Sequence, residues 1–105
     1  MLFRSIMNSY VIITNNNENE VTEWIKEVSS KFKECDELIF WDNLSTDNSV
    51  AKIIETMGML WRDEEHFKFY ISSKKEPIST IKKKAFSICK GKHILIGGKK
   101  DAKNK

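Results

Sequence analysis

The residue best placed to do chemistry is Asp42. It closes Glu37-Leu38-Ile39-Phe40-Trp41-Asp42, a run that is nearly all apolar in its middle. A carboxylate there gains nothing from a core. It can meet a ligand at the end of a strand, or it can cap the turn onto the following helix. Position alone leaves both roles open. Lysine supplies the second concentration of charge. Residues 1–71 carry 7 Lys and Arg against 13 acids, net −6, whereas residues 72–105 carry 11 Lys against 2 acids, net +9; together they give the net charge of +3. A basic end favours phosphates, nucleic acid or an acidic surface as neighbours, and it is equally the composition of a solvated Lys-rich tail.

Other chemistries find no footing. GxGxxG is absent, and Gly97-Gly98-Lys99-Lys100 lacks the leading glycine and the hydroxyl residue of a phosphate-binding P-loop. His66 and His93 have no acid or cysteine at ligand spacing and read as structural. Cys35 and Cys89 lie far apart, form no CxxC, and read as reduced thiols. No Ser-His-Asp or Cys-His arrangement can be read from spacing.

The elements that must position Asp42 follow from the apolar pattern. Strands are expected near residues 10–14, 37–42, 67–71 and 93–96. Val21, Trp24, Ile25, Val28 and Phe32 recur at helical spacing, with Asn17 and Glu20 placed to form a capping box. Val50, Ile53, Ile54 and Met57 mark a second helix with Gly58 near its end, followed by a loop over 59–65. After Pro77, Ser79 is placed to cap a third helix carrying Ile81, Ala85, Phe86, Ile88 and Cys89, ended by Gly91. Apolar strands alternating with helices predict a three-layer α/β/α domain with a mainly parallel four-stranded sheet. Ligand chemistry then belongs at the carboxyl ends of the strands: Thr14-Asn15, Asp42-Asn43, Ser72-Ser73 and Gly97-Gly98.

At 105 residues, 40% apolar and 31% charged, the chain has the material for one modest core and little for a second domain. Arg4, Asn8 and Ser9 interrupt any signal-peptide core or membrane span, so the chain reads as cytoplasmic.

Three segments together resemble the family 2 glycosyltransferases. Val11-Ile12-Ile13-Thr14-Asn15-Asn16 is similar to that family's VIIVTYN. Leu38-Ile39-Phe40-Trp41-Asp42-Asn43-Leu44-Ser45-Thr46-Asp47-Asn48-Ser49 is similar to IIVVDNGSTDGT. Ala85-Phe86-Ser87-Ile88-Cys89-Lys90-Gly91-Lys92-His93-Ile94-Leu95-Ile96 is similar to GIELAKGEYILF. The resemblance covers about residues 10–101 at the family's spacing. It implies the nucleotide-binding, Rossmann-like half of a GT-A fold over residues 1–97, followed by a flexible Lys-rich tail over 98–105. It also implies a nucleotide site. Thr14 and Asn15 would line the base pocket, Asp42 would accept a hydrogen bond from the base, and Lys82 would face the diphosphate in place of the usual Arg.

After the fourth strand the chain departs from the family. LDSDD, whose acids hold ribose and a divalent cation, is replaced by Gly97-Gly98-Lys99-Lys100-Asp101. Gly98 and Lys100 stand where a hard cation needs carboxylates, so no metal cofactor is expected. Lys100 could instead pair directly with the diphosphate. The chain ends before an acceptor site or catalytic base would appear. The expected capacity is weak binding of a nucleotide or nucleotide-diphosphate sugar, without competence for transfer alone. The rival is a non-catalytic interaction module that binds a partner or polyanion through the Lys-rich C-terminal end; nucleic acid is not the expected partner. Finally, the run 93–97 is expected at a sheet edge, where a homodimer would bury it.

Overall fold

The computed structural model describes residues 6–60 and 66–97. Its elements run β1 (Asn8–Thr14), α1 (Val21–Lys31), β2 (Glu37–Asp42), α2 (Ser49–Leu60), β3 (Phe67–Ile71), α3 (Ile78–Ser87) and β4 (Lys92–Ile96). The strands form one sheet in the order β3-β2-β1-β4, and every pair is parallel. The α/β expectation therefore holds, with each strand within about two residues of where the pattern placed it. The tail over 98–105, with Lys100, lies outside the described residues.

Alternation along β1 builds both sides of the sheet. Tyr10 and Ile12 face a core shared with Val21, Ile25 and Val28 of α1, Leu38 and Phe40 of β2, and Ile53 of α2. Val11 and Ile13 face the opposite core, with Ile39 of β2 and Ile81 and Ala85 of α3. Two helices thus cover one face and α3 the other. Burying each such aliphatic side chain is worth roughly 1.5–3 kcal/mol, which makes this register costly to shift. Among the described residues, no helix is long and apolar enough to cross a membrane.

The helix starts differ from the pattern's expectation. Asn17 and Glu20 do not form a capping box. Glu20 takes the cap position without a side-chain bond to the helix, its carboxylate accepting the Asn17 amide N–H at 3.2 Å, and the Asn17 carbonyl receives the N–H groups of Glu20 at 3.0 Å and Val21 at 2.9 Å. A turn over 17–20 closes on its own backbone, and the Asn17 amide oxygen is taken by the Asn15 N–H at 2.7 Å. Pro77, not Ser79, caps α3: its ring-fixed φ of −60° with an extended ψ of 147° suits the residue before a helix. Gly58 lies near the end of α2 as the pattern expects, but its φ is not left-handed and the helix runs on to Leu60 instead of giving way to a loop at 59. Residues 59 and 60 are therefore helical, and 61–65 lie outside the described residues.

At the amino edge of the sheet, a buried polar knot ties β4 to its neighbours. Glu37, 3% exposed, accepts the Ser9 hydroxyl at 2.6 Å and the Lys90 N–H at 2.8 Å on one oxygen, and Lys68 at 3.3 Å on the other. Ser9 Oγ in turn accepts the Gly91 N–H at 2.8 Å. A side chain at Gly91 would press to within 2.7 Å of the Met7 backbone, so only glycine lets the α3–β4 turn lie this close.

Candidate functional site

The topology locates the site. The connections through α1 and α2 step one way, from β1 to β2 to β3, while α3 returns the chain across the sheet to put β4 on the other side of β1. The strand order reverses between β1 and β4. Connections there leave for opposite faces, and a crevice opens at the strands' carboxyl ends. A cavity of about 250 Å³ occupies that position, lined by Ile13, Asn15, Asn17, Trp24, Lys82 and Leu95 among others. It falls short of the roughly 300–1,000 Å³ of a typical small-molecule site, so it has room for part of a nucleotide.

Each lining side chain is placed by its element. Asn15 is the first residue past β1, and Asn17 stands in the turn before α1. Trp24 projects from the first turn of α1 and packs at the end of β4. There Gly97 has a φ of +86°, and a Cβ on it would lie 2.4 Å from the indole ring. Lys82 stands half-buried in α3. Lys75, from the loop before α3, donates to the Asn15 amide oxygen at 3.0 Å and so sets a second cation beside a lining residue. The lining thus brings together two amides, one lysine and an indole, with a second lysine bonded to the Asn15 amide, a set suited to a phosphate-bearing ligand.

Asp42 and Thr14 have a different place. Asp42 is 1% exposed, as is Thr14. One Asp42 oxygen accepts the Thr14 hydroxyl at 2.5 Å and the Ser45 hydroxyl at 2.6 Å, and the other accepts the Ser45 N–H at 2.8 Å. The carboxylate ties the end of β1 to the turn after β2. Of the two roles open to Asp42, the turn-forming one is the one seen. A base reaching Asp42 would have to displace Thr14 or Ser45.

Beyond Asp42 the two loops are laced together. The Asn16 amide oxygen accepts the N–H of Thr46 at 2.7 Å and of Asp47 at 3.2 Å, with Asn16 itself at a φ of 61°. Asn is among the few residues that tolerate that left-handed conformation. Asn17 N–H donates to Ser49 Oγ at 2.7 Å, and Glu18 N–H to Asp47 at 3.1 Å. Burial acts to raise the Asp47 pKa, but the hydroxyl and N–H of Ser49 and the N–H of Glu18 outweigh it and hold the carboxyl below its ordinary value. The Ser-Thr-Asp stretch therefore serves as a latch between loops.

Of the sequence-derived residues, Asn15 and Lys82 line the cavity, Thr14 and Asp42 lie buried and bonded to each other, and Lys100 lies outside the described residues. Asn17, Trp24 and Lys75 were not anticipated. Trp24 reads as an ordinary core position of an amphipathic helix, and its spacing carries no signal that it reaches the strand ends. His93 stacks on Phe86 at 4.9 Å, in keeping with a structural role. Among the described residues, no group of three or more His, Cys, Asp or Glu is arranged to hold a metal ion. No protein-family profile matches the chain, and no curated protein matches it.

Proposed function

We propose that the chain binds a nucleotide or nucleotide-diphosphate sugar weakly in the cavity between β1 and β4, as a family 2 glycosyltransferase-like domain that does not complete glycosyl transfer alone. The observation that carries this reading is the coincidence of the cavity with the strand-order reversal, with Lys82 in its lining and Lys75 bonded to Asn15 of its wall. Lysines supply fixed positive charge for a diphosphate where the resembling family uses a bridged cation. The indole of Trp24 offers an apolar wall for a ring.

Calorimetric titration with uridine, guanosine and thymidine diphosphates tests the proposal. Binding of at least one, weakened about tenfold or more by Lys82→Ala, is expected, since a charge-assisted hydrogen bond is worth about 1.5–3 kcal/mol. Lys82 is the better probe than Asp42, whose removal would also undo the β1–β2 latch. Absence of binding by all three, or binding indifferent to Lys82→Ala, would sink it.

The basic C-terminal end supports a second reading as a polyanion-binding module, given the net charge of +9 over residues 72–105.

A further inference from the structure

The sheet ends in two edges, β3 and β4, and their exposed chemistry differs. At β4, Lys92 and His93 are exposed, whereas Ile96 is buried. At β3, three consecutive large side chains stand open: Phe69 is 38% exposed, Tyr70 38% and Ile71 54%. Ile54 of α2, 62% exposed, borders the same side. An open groove of about 480 Å³ runs between α2 and β3, lined by Phe40, Ile53, Ile54, Met57, Phe67 and Phe69, with no charged side chain of the described residues in it.

The backbone at this edge has a definite phase. Leu38 N–H donates to the His66 carbonyl, and Ser72 N–H donates to the Asp42 carbonyl. In a parallel ladder such bonds alternate, so Lys68 and Tyr70 turn their N–H and C=O groups towards β2, while Phe69 and Ile71 turn theirs outward. Among the described residues, no strand pairs with that outer side.

We infer that the β3 edge pairs antiparallel with the β3 edge of a second copy about a two-fold axis at Tyr70, joining two sheets into one. This register puts Phe69 opposite the partner's Ile71, and Ile71 opposite the partner's Phe69, each pair exchanging both backbone hydrogen bonds. Aromatic and β-branched side chains so opposed stabilise antiparallel pairs. Tyr70 meets the partner's Tyr70, and Lys68 meets the partner's Ser72, so no like charges face each other.

Charge leaves this edge open to a second copy. A chain of net charge +3 can approach itself only where cations are absent or paired. The one cation in β3, Lys68, is paired with Glu37 at 3.3 Å. Lys92 lies within β4 and stands exposed with Lys90 before it, whereas the exposed Lys74 and Lys75 follow β3 only beyond Ser72 and Ser73. Ile54, Phe69, Tyr70 and Ile71 together expose on the order of 400 Å², since large side chains present about 150–250 Å² when fully open. A standard interface covers about 800 Å² per partner, which puts this dimer at the weak, concentration-dependent end. The surface lies at the opposite edge of the sheet from the β1–β4 cavity, so the dimer and the nucleotide reading fail independently.

Sedimentation equilibrium of the full chain, from about one to a few hundred micromolar, should show the mass climbing from 12.3 kDa towards twice that value. Ile71→Lys should hold it at the protomer mass, and His93→Glu should leave association intact. In a Cys35→Ser, Cys89→Ser background, Tyr70→Cys should give a disulfide-linked dimer on mild oxidation. Directly opposed residues at non-hydrogen-bonded positions lie about 4.5 Å apart at Cα, within disulfide reach. Ser73→Cys, several residues off the axis, should not crosslink, and the crosslink reads the register even if Ile71→Lys folds poorly. An unchanging protomer mass, association lost with His93→Glu but kept with Ile71→Lys, or equal crosslinking at 70 and 73 would overturn the inference.

Discussion

Glu37 shows how a single buried acid can be read as structural. Burial acts to raise its pKa, but the Ser9 hydroxyl, the Lys90 N–H and the Lys68 charge more than offset this and leave it below the ordinary value. A carboxyl depressed in the folded state stabilises above its unfolded pKa, and that contribution is lost as pH falls through the folded value. Acid unfolding should therefore steepen below about pH 4.5, near the ordinary glutamate pKa. Glu37→Gln should cost about 1–3 kcal/mol at neutral pH, because Ser9 and the 90–91 turn lose a charged acceptor. It should also flatten the stability profile between neutral and acid pH. Urea melts of both proteins across that range check this. Equal acid sensitivity would show that Glu37 carries none of it. Asp42 belongs to the same class of residue: a buried carboxylate that accepts three hydrogen bonds from Thr14 and Ser45.

At the scale of elements, the decisive contact for the candidate site is α1 against the end of β4. Trp24 closes over Gly97, whose left-handed φ and absent Cβ make room for the ring. Gly97→Ala combines the strain of φ > 0, about 1–2 kcal/mol, with overpacking of about 1–3 kcal/mol. The expected loss is therefore at least about 2 kcal/mol. In a Trp24→Leu background the overpacking should largely vanish and the backbone strain remain. A double-mutant cycle measured by denaturant melts should show that coupling, and strict additivity would contradict it. The latch between the β1–α1 and β2–α2 loops acts at the same scale. Asn16 reaches across to Thr46 and Asp47, so the rim of the cavity is held by bonds between two loops instead of within one.

For the whole molecule, the open question is how its charge asymmetry acts. A nucleotide diphosphate held in the β1–β4 cavity meets few cations, so its affinity should fall gently with salt, with a log–log slope no steeper than about −2. A polyanion spread over the basic end releases a counterion for each phosphate neutralised, at a slope of about −0.9 per contact on duplex or −0.7 on single strands. Titrations at three salt concentrations with uridine diphosphate and with heparin separate the two. A steep slope for the polyanion, together with no saturable nucleotide binding, would favour the interaction-module reading. The apolar β3 edge adds no unpaired charge to either.

The amino-acid order by itself determined the α/β class, the number and sequence of elements, and the end of β2 as a place where a carboxylate stops a core strand. These follow from hydrophobic periodicity, which reports burial along one element at a time. It did not determine which way Asp42 turns. That depended on Ser45 folding back to offer both its N–H and its hydroxyl, a contact made only once the loop after β2 had closed. Trp24 was equally beyond it, because its meeting with Lys82 at one cavity requires α1 and α3 to lie on opposite faces beside β4. The edge at β3 is likewise a tertiary result. Its alternation is visible in Phe67-Lys68-Phe69-Tyr70-Ile71, but the exposure of Phe69 appears only once α2 is seen to leave a groove above the strand. Local pattern records which residues prefer to be buried; packing among distant elements decides which of them are.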